Sequence, residues 1–328
     1  MMLRVVIPDD APAVLAPSRA YERWRDQTHG RYQLDYHDTL PGSAENLISR
    51  IREADIVINI RSSSKFTREV FEACPNLRLL SLWGTGTDNV DLEAAASRGV
   101  TVTNTPSVSA PAIAEHCLAL MLAVARRLVV LDAEVRRGAW PRGFVSQMSG
   151  KTLGVIGLGA IGSRFAQLGR ALGMRVIAWS FRPKPGLDFE MVPLERLYRE
   201  SDVISLHLRL SPVTERMIGR PQFAMMKPGA IFLNTARGPI VDEEALIDAL
   251  ASGHLGGAGL DVFTVEPLPP GHPLTRLDNV VLTPHSAGVT REALEAGLAM
   301  ALENVENFLA GTPTHVVIGP RQAAGRNR

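Results

Sequence analysis

Short apolar runs alternate with stretches of helical periodicity along most of the chain. Leu3–Ile7, Ile56–Ile60, Leu77–Leu82 and Thr101–Asn104 read as strands, and Ala44–Arg52 as a modest helix among them. The run Ile56-Val57-Ile58-Asn59-Ile60 is nearly continuous in β-branched residues, the pattern of a strand covered on both faces. A Pro/Ser break at Pro106–Pro111 precedes a long apolar helix from about Ala112 to Arg127. A second alternation starts at Thr152, with strands Thr152–Ile156, Met174–Trp179, Val203–His207, Ala230–Leu233, Gly257–Leu260 and Val280–Leu282. Lys227-Pro228-Gly229 is a turn ahead of the fourth. Beyond Pro284 the periodicity is helical from Arg291 to Leu309 and stops at Gly311. Strands alternating with helices predict an α/β protein with two doubly wound parallel sheets.

The last helix has no strand of its own to cover, so it is expected to fold back on the first sheet. That places residues 1–105 with 287–318 in one discontinuous domain and residues 106–286 in the other. Residues 319–328, rich in Arg, Gln, Gly and Asn, read as a disordered tail.

A length of 328 residues suits two domains of ordinary size. A formal net charge of +1 leaves no electrostatic footprint for nucleic acid or an anionic membrane. The two cysteines, Cys74 and Cys117, are too few for a disulfide framework or metal cluster; they read as small buried hydrophobes in a reducing cytoplasm. Met1–Pro8 reads as a strand followed by Asp9 and Asp10 rather than a signal peptide. The most apolar stretch, Ala112–Leu131, carries Glu115, His116, Arg126 and Arg127, which argues against a membrane span.

Chemistry enters at Gly157-Leu158-Gly159-Ala160-Ile161-Gly162. Gly157 lets the chain turn off the strand, Gly159 leaves room for a pyrophosphate, and Gly162 lets the next helix pack close. The free N–H groups of that helix then face the phosphates. Three further candidates follow strands of the same half: Arg237 in Asn234-Thr235-Ala236-Arg237-Gly238, Glu266 after Leu260-Asp261-Val262-Phe263, and His285 in Thr283-Pro284-His285. In open parallel sheets, ligands bind outside the carboxyl ends of strands. An arginine holds a carboxylate through two parallel hydrogen bonds. A histidine passes a proton near neutral pH, and a nearby carboxylate orients its ring and favours its charged form.

These segments resemble the motifs of the D-isomer-specific 2-hydroxyacid dehydrogenases. So do Gly84-Thr85-Gly86 with Asp88-Asn89-Val90-Asp91, Ala114-Glu115-His116, and Ser201-Asp202-Val203 with His207. The match runs in family order from the first strand to about Val317. It implies a Rossmann dinucleotide-binding domain, a flavodoxin-like substrate domain, a cleft that closes between them, and a homodimer built on the cofactor domain. By position, Arg237 would hold the substrate carboxylate and polarise its carbonyl, His285 would be the acid/base, and Glu266 its orienting partner. Cofactor contacts would fall on Gly157, Gly159, Ala160, Ile161, Gly162, Ser180, Arg182, His207, Thr214, Thr235, Ala236 and Asp261. Substrate contacts would fall on Trp83, Arg237 and the backbone of Gly84, Thr85 and Gly86. The activity implied is hydride transfer between nicotinamide C4 and a small 2-oxo or D-2-hydroxy acid of the glyoxylate or hydroxypyruvate type. Glu266 argues against the formate dehydrogenases, which the resemblance implies lack a glutamate there. A dinucleotide-sensing, corepressor-like binding protein on the same fold is the alternative.

The cofactor is NAD(H) or NADP(H). The acid that normally accepts the ribose hydroxyls is replaced by Ser180, with Arg182 two residues on, and this tilts the expectation to NADP(H). In the other reading Ser180 tolerates either cofactor and Arg182 is solvated. Arg209 stands where family members often carry Pro and is expected to face solvent. Trp83 would narrow the cleft or simply pack. A phosphoglycerate-type activity is disfavoured because Leu82 and Trp83 add no cation, although Arg61 is a possible one. His116 is read as a packing residue, and His29, His37, His254, His272 and His315 as exposed. No His/Cys/Asp spacing points to a metal.

Overall fold

The central strands are apolar on both faces and the edge strands are not, and two sheets follow from that. The computed structural model describes residues 2–183, 186 and 188–320, so residues 321–328 of the expected tail lie outside the described residues. The described chain divides into two compact units, residues 2–109 with 290–320 and residues 110–289. The divisions fall a few residues beyond those expected from the Pro/Ser break and from Pro284.

The first unit holds β1 (Leu3–Ile7), β2 (Tyr32–Tyr36), β3 (Ile56–Asn59), β4 (Leu79–Leu82) and β5 (Thr101–Thr103). The numbering continues in the second unit with β6 (Thr152–Ile156), β7 (Arg175–Trp179), β8 (Glu190–Met191), β9 (Val203–Leu206), β10 (Ala230–Asn234), β11 (Leu255–Leu260) and β12 (Val280–Leu282). The last strand, β13 (Val316–Ile318), returns to the first unit. There the order is β13-β5-β4-β3-β1-β2. All neighbours are parallel except β13, which runs antiparallel to β5. The five parallel strands have the flavodoxin-like order. Val6, Val57 and Leu80 face one core with Leu47, Ile51 and Phe71. Val5, Ile7, Ile56, Ile58 and Leu79 face the other, with Trp24 and with Leu298, Leu302 and Val305 of the helix Arg291–Leu309. Truncating one of those leucines to alanine costs about 2–5 kcal/mol.

The second unit has the order β12-β11-β10-β9-β6-β7-β8, parallel throughout. This is the doubly wound dinucleotide-binding order with one further strand, and its switch point lies between β6 and β9. The helices Ala110–Ala125 and Ala160–Ala171 pack against each other on one face, where Leu120, Met121, Phe165 and Ala166 are buried. Leu197, Phe223, Phe232 and Leu246 fill the other face.

The structure corrects the expected helix over 112–127. It begins at Ala110 and ends at Ala125, because Arg127 adopts a left-handed φ of 49° and starts a second helix, Leu128–Arg136. Among the described residues no helix is long and apolar enough to cross a membrane, and no group of three or more His, Cys, Asp or Glu is placed to hold a metal ion.

Candidate active site

The second unit gathers most of the candidate groups at the carboxyl ends of its strands. Gly157 leaves β6 at φ +100°, and a Cβ there would lie 2.5 Å from the His207 carbonyl oxygen. A Cβ on Gly162 would lie 2.0 Å from the Gly157 carbonyl oxygen, so helix Ala160–Ala171 sits directly against the turn. Above Gly159 there is open space, and no side chain caps that helix. Uncapped N–H groups over a side-chain-free turn fit the pyrophosphate of a dinucleotide.

The His207 backbone closes the far wall of this turn. Its ring Nε2 lies 2.9 Å from Ser205 Oγ and the ring tilts against Phe165. Burial pushes the imidazole down to about 3, so it is neutral at physiological pH. Ser180 is half-buried just after β7, Arg182 is exposed, and the neighbouring Trp179 and Phe181 rings meet edge-on at 4.6 Å. Thr214 is buried: its hydroxyl donates to the Arg209 carbonyl at 2.6 Å and accepts from Ser211 N–H at 2.8 Å. Its side chain therefore closes its own loop. Arg209 itself is exposed.

After β10, the side chain of Asn234 brackets the next turn, accepting from Ala236 N–H at 3.0 Å and donating to the Arg237 carbonyl at 3.0 Å. Asn234 is a shaping residue that the sequence reading passed over. Gly238 lies against the Phe263 backbone, where a Cβ would fall 2.0 Å from its carbonyl carbon. This brings Arg237 alongside the loop that carries Glu266. Thr235 is buried with Oγ1 3.2 Å from Cys117 Sγ.

Glu266 Oε1 accepts from Phe263 N–H at 2.9 Å, and Oε2 lies 2.7 Å from His285 Nδ1. Partial burial pushes the Glu266 carboxyl up, but the His285 and Phe263 hydrogen bonds, with the charges of His285 and Arg237, outweigh it and leave the carboxyl below its ordinary value. With Nδ1 on Glu266, His285 lines a recess of about 590 Å³ together with Phe263, Glu266, Pro267, Leu268, Leu282, Thr283 and Pro284. His285 has φ +53°, a left-handed conformation that is uncommon for a bulky residue.

Asp261 is 1% exposed and spends both oxygens on the His285 loop. Oδ1 accepts from Thr283 Oγ1 at 2.6 Å and Ser286 N–H at 2.9 Å, and Oδ2 accepts from Ala287 N–H at 2.9 Å. His116 Nε2 lies 3.0 Å from Thr283 Oγ1. His116 is thus a polar member of this network, which corrects its reading as packing alone. Three other histidines are half-buried rather than exposed: His37, His254 (Nε2 2.9 Å from the Phe223 carbonyl) and His272, which accepts from Leu274 N–H. His29 and His315 are exposed.

In the first unit, Gly84 follows β4 at φ +125°. Its N–H donates to Thr105 Oγ1 at 2.7 Å, and Asn104 Nδ2 donates to the Thr85 carbonyl at 2.8 Å. The Gly84 N–H is therefore engaged within its own loop. The Trp83 indole is half-buried against Gly297, where a Cβ would fall 2.3 Å from Nε1. Arg61 donates through Nη2 to the Pro12 carbonyl.

The family model for the D-isomer specific 2-hydroxyacid dehydrogenase NAD-binding domain matches residues 118–287. A glyoxylate reductase of Korarchaeum cryptofilum is 38% identical over 313 residues, covering 92% of this chain and 93% of that protein. A hydroxypyruvate reductase of Thermotoga maritima is 42% identical over 256 residues, covering 76% of this chain and 83% of that protein. A solved acyclic imino acid reductase, in complex with NADPH and D-Arg, superposes with a TM-score of 0.87 at 32% identity, covering 96% of this chain and all of the other. A Rossmann-ordered sheet with a glycine-lined turn and a Glu–His pair at its strand ends defines a nicotinamide-dependent dehydrogenase. The chain belongs to the D-isomer-specific 2-hydroxyacid dehydrogenase family.

Proposed function

We propose that this enzyme reduces a small 2-oxo acid, glyoxylate or hydroxypyruvate, to the D-2-hydroxy acid. The observation that carries the reading is the 2.7 Å contact between Glu266 Oε2 and His285 Nδ1 beside the Arg237 loop. Bound nicotinamide would supply the hydride. Arg237 holds the substrate carboxylate and draws density toward the carbonyl oxygen. His285, oriented by Glu266, gives the Nε2 proton to the developing alkoxide, and the reverse reaction returns it. In the first unit, the backbone N–H groups of Thr85 and Gly86 are of the kind that suit a carboxylate. The Gly157–Gly162 turn, with Ala160 and Ile161 opening its helix, receives the pyrophosphate, flanked by the His207 backbone, Thr235 and Ala236. Asp261 serves the site through the His285 loop.

Ser180 and Arg182 support NADP(H) over NAD(H), since no carboxylate repels a 2′-phosphate and an arginine is near to receive one. Exposed apolar residues on the second unit, Trp140 and Phe144 above all, support a homodimer. Two buried free cysteines fit a reducing cytoplasm, and the near-neutral net charge fits a partner that is a small molecule rather than nucleic acid. The test is a titration of NADH and NADPH, each followed by glyoxylate and hydroxypyruvate, read at the nicotinamide absorbance band. Turnover with NADPH preferred is expected. Preference for NADH would sink the cofactor assignment alone, and tight binding without turnover on any 2-oxo acid would sink the enzyme reading.

A further inference from the structure

The backbone just past His285 is held by a hydrogen-bonded chain that begins on another element, the helix Ala110–Ala125. Two backbone N–H groups and the Thr283 hydroxyl converge on the Asp261 carboxylate, a donor set that suits an ionised acceptor. A carboxylate only accepts, so the Thr283 hydrogen is committed to Asp261 Oδ1 across 2.6 Å. Thr283 Oγ1 then meets His116 Nε2, 3.0 Å away, as an acceptor, and His116 must carry its hydrogen on Nε2. The chain runs from His116 Nε2–H to Thr283 Oγ1–H to Asp261, and Asp261 grips Ser286 and Ala287. The next residue of the same helix, Cys117, touches Thr235 in the Arg237 loop. One helical turn thus abuts both loops that bear candidate catalytic groups.

We propose that His116 and Thr283 are positioning residues for the reaction. They fix the Asp261 carboxylate, which pins residues 286 and 287 and so keeps His285 at φ +53° with Nδ1 on Glu266. Released from that grip, the loop relaxes toward ordinary backbone geometry and carries Nε2 away from the reacting oxygen. The inference rests on the reading of His285 as the acid/base.

Thr283→Val removes both hydrogen bonds at nearly constant volume, and Thr283→Ser keeps them. His116→Leu removes the donor, and His116→Gln retains an amide donor. For the holoenzyme turning over glyoxylate, we expect kcat to fall about tenfold to a hundredfold in Thr283→Val and His116→Leu, the scale of a misplaced catalytic group. NADPH affinity and melting temperature should hold, the pH profile of kcat should change, and Thr283→Ser and His116→Gln should recover most of the rate. Wild-type kcat and pH profile in Thr283→Val and His116→Leu overturn the proposal. So does a loss that tracks melting temperature and is not recovered by Ser or Gln. If Thr283→Val does not fold, the His116→Gln and His116→Leu pair decides on the same criteria. His285→Asn, measured in parallel, separates the two readings. A loss of about 10²-fold or more there, beside unaffected positioning variants, removes this proposal alone. Normal turnover of His285→Asn removes the acid/base reading beneath it.

Discussion

Glu266 and His207 both titrate below their ordinary values, for opposite physical reasons. For Glu266, burial acts upward and is outweighed by its hydrogen bonds and nearby positive charge. A carboxylate with a depressed folded value contributes stability above its ordinary value of 4.5, lost as pH falls through the lower folded one. Glu266 is thus an anion across the neutral range, and Glu266→Gln should lower kcat about tenfold or more by removing the charge that orients His285. For His207, burial alone acts, from 6.5 down to about 3. The unfolded chain takes up a proton as pH falls through 6.5, whereas the folded chain does not until near 3. Stability is therefore full above 6.5 and declines through that window on acidification. We expect the melting temperature of the wild type to fall more steeply between these limits than that of His207→Gln. Parallel curves for the two would remove His207 as the cause.

Among elements, the glycine turn separates two roles that one motif conceals. Gly162 has no room for a Cβ, whereas Gly159 faces open space with an ordinary φ of −76°. Gly162→Ala must push helix Ala160–Ala171 off the Gly157 carbonyl, at about 1–3 kcal/mol of overpacking, and should lose both melting temperature and dinucleotide affinity. Gly159→Ala should keep the apo melting temperature yet lose affinity, because its methyl occupies the space assigned to the pyrophosphate. Calorimetric melting and NADPH titration of the two variants check this. Equal loss of stability in both would contradict the division. The turn was legible because its glycines, the strand before them and the helix after them are contiguous. Arg237, Glu266 and His285 were legible because each follows an apolar strand. The partners of Thr214, the Gly84 N–H and His116 were not legible, for one shared reason. Those partners, the Arg209 carbonyl, Thr105 Oγ1 and Thr283 Oγ1, are chosen by tertiary placement, and local pattern carries no record of that choice. β2, with Tyr-Gln-Leu-Asp-Tyr, and the two-residue edge strand β8 were likewise too polar or too short to stand out.

For the whole chain, the doubly wound class of both sheets follows from alternating apolar strands and helices, but the surface that the fold leaves uncovered does not. Helix Leu128–Arg136 buries none of its residues, with Leu128, Val129 and Val135 each about half exposed or more. The following segment holds Trp140 at 74% and Phe144 at 106% relative exposure. Aromatic side chains dominate interface energetics because each brings a large area at low entropic cost. A run of this kind left in water marks an interaction surface, and in the proposed homodimer a second copy would complete it. A stable two-fold interface buries about 1,600 Å² in total, and two copies of this segment would each supply its apolar centre. The enzyme is therefore expected to elute as a dimer, and Trp140→Ser with Phe144→Asp should shift it toward monomer in light scattering. The same substitutions leave Gly157–Gly162, Glu266 and His285 untouched, so NADPH affinity per chain is expected to persist in the monomer. A wild type that is monomeric at micromolar concentration would refute this assignment. A double variant that remains dimeric would move the interface elsewhere on the chain.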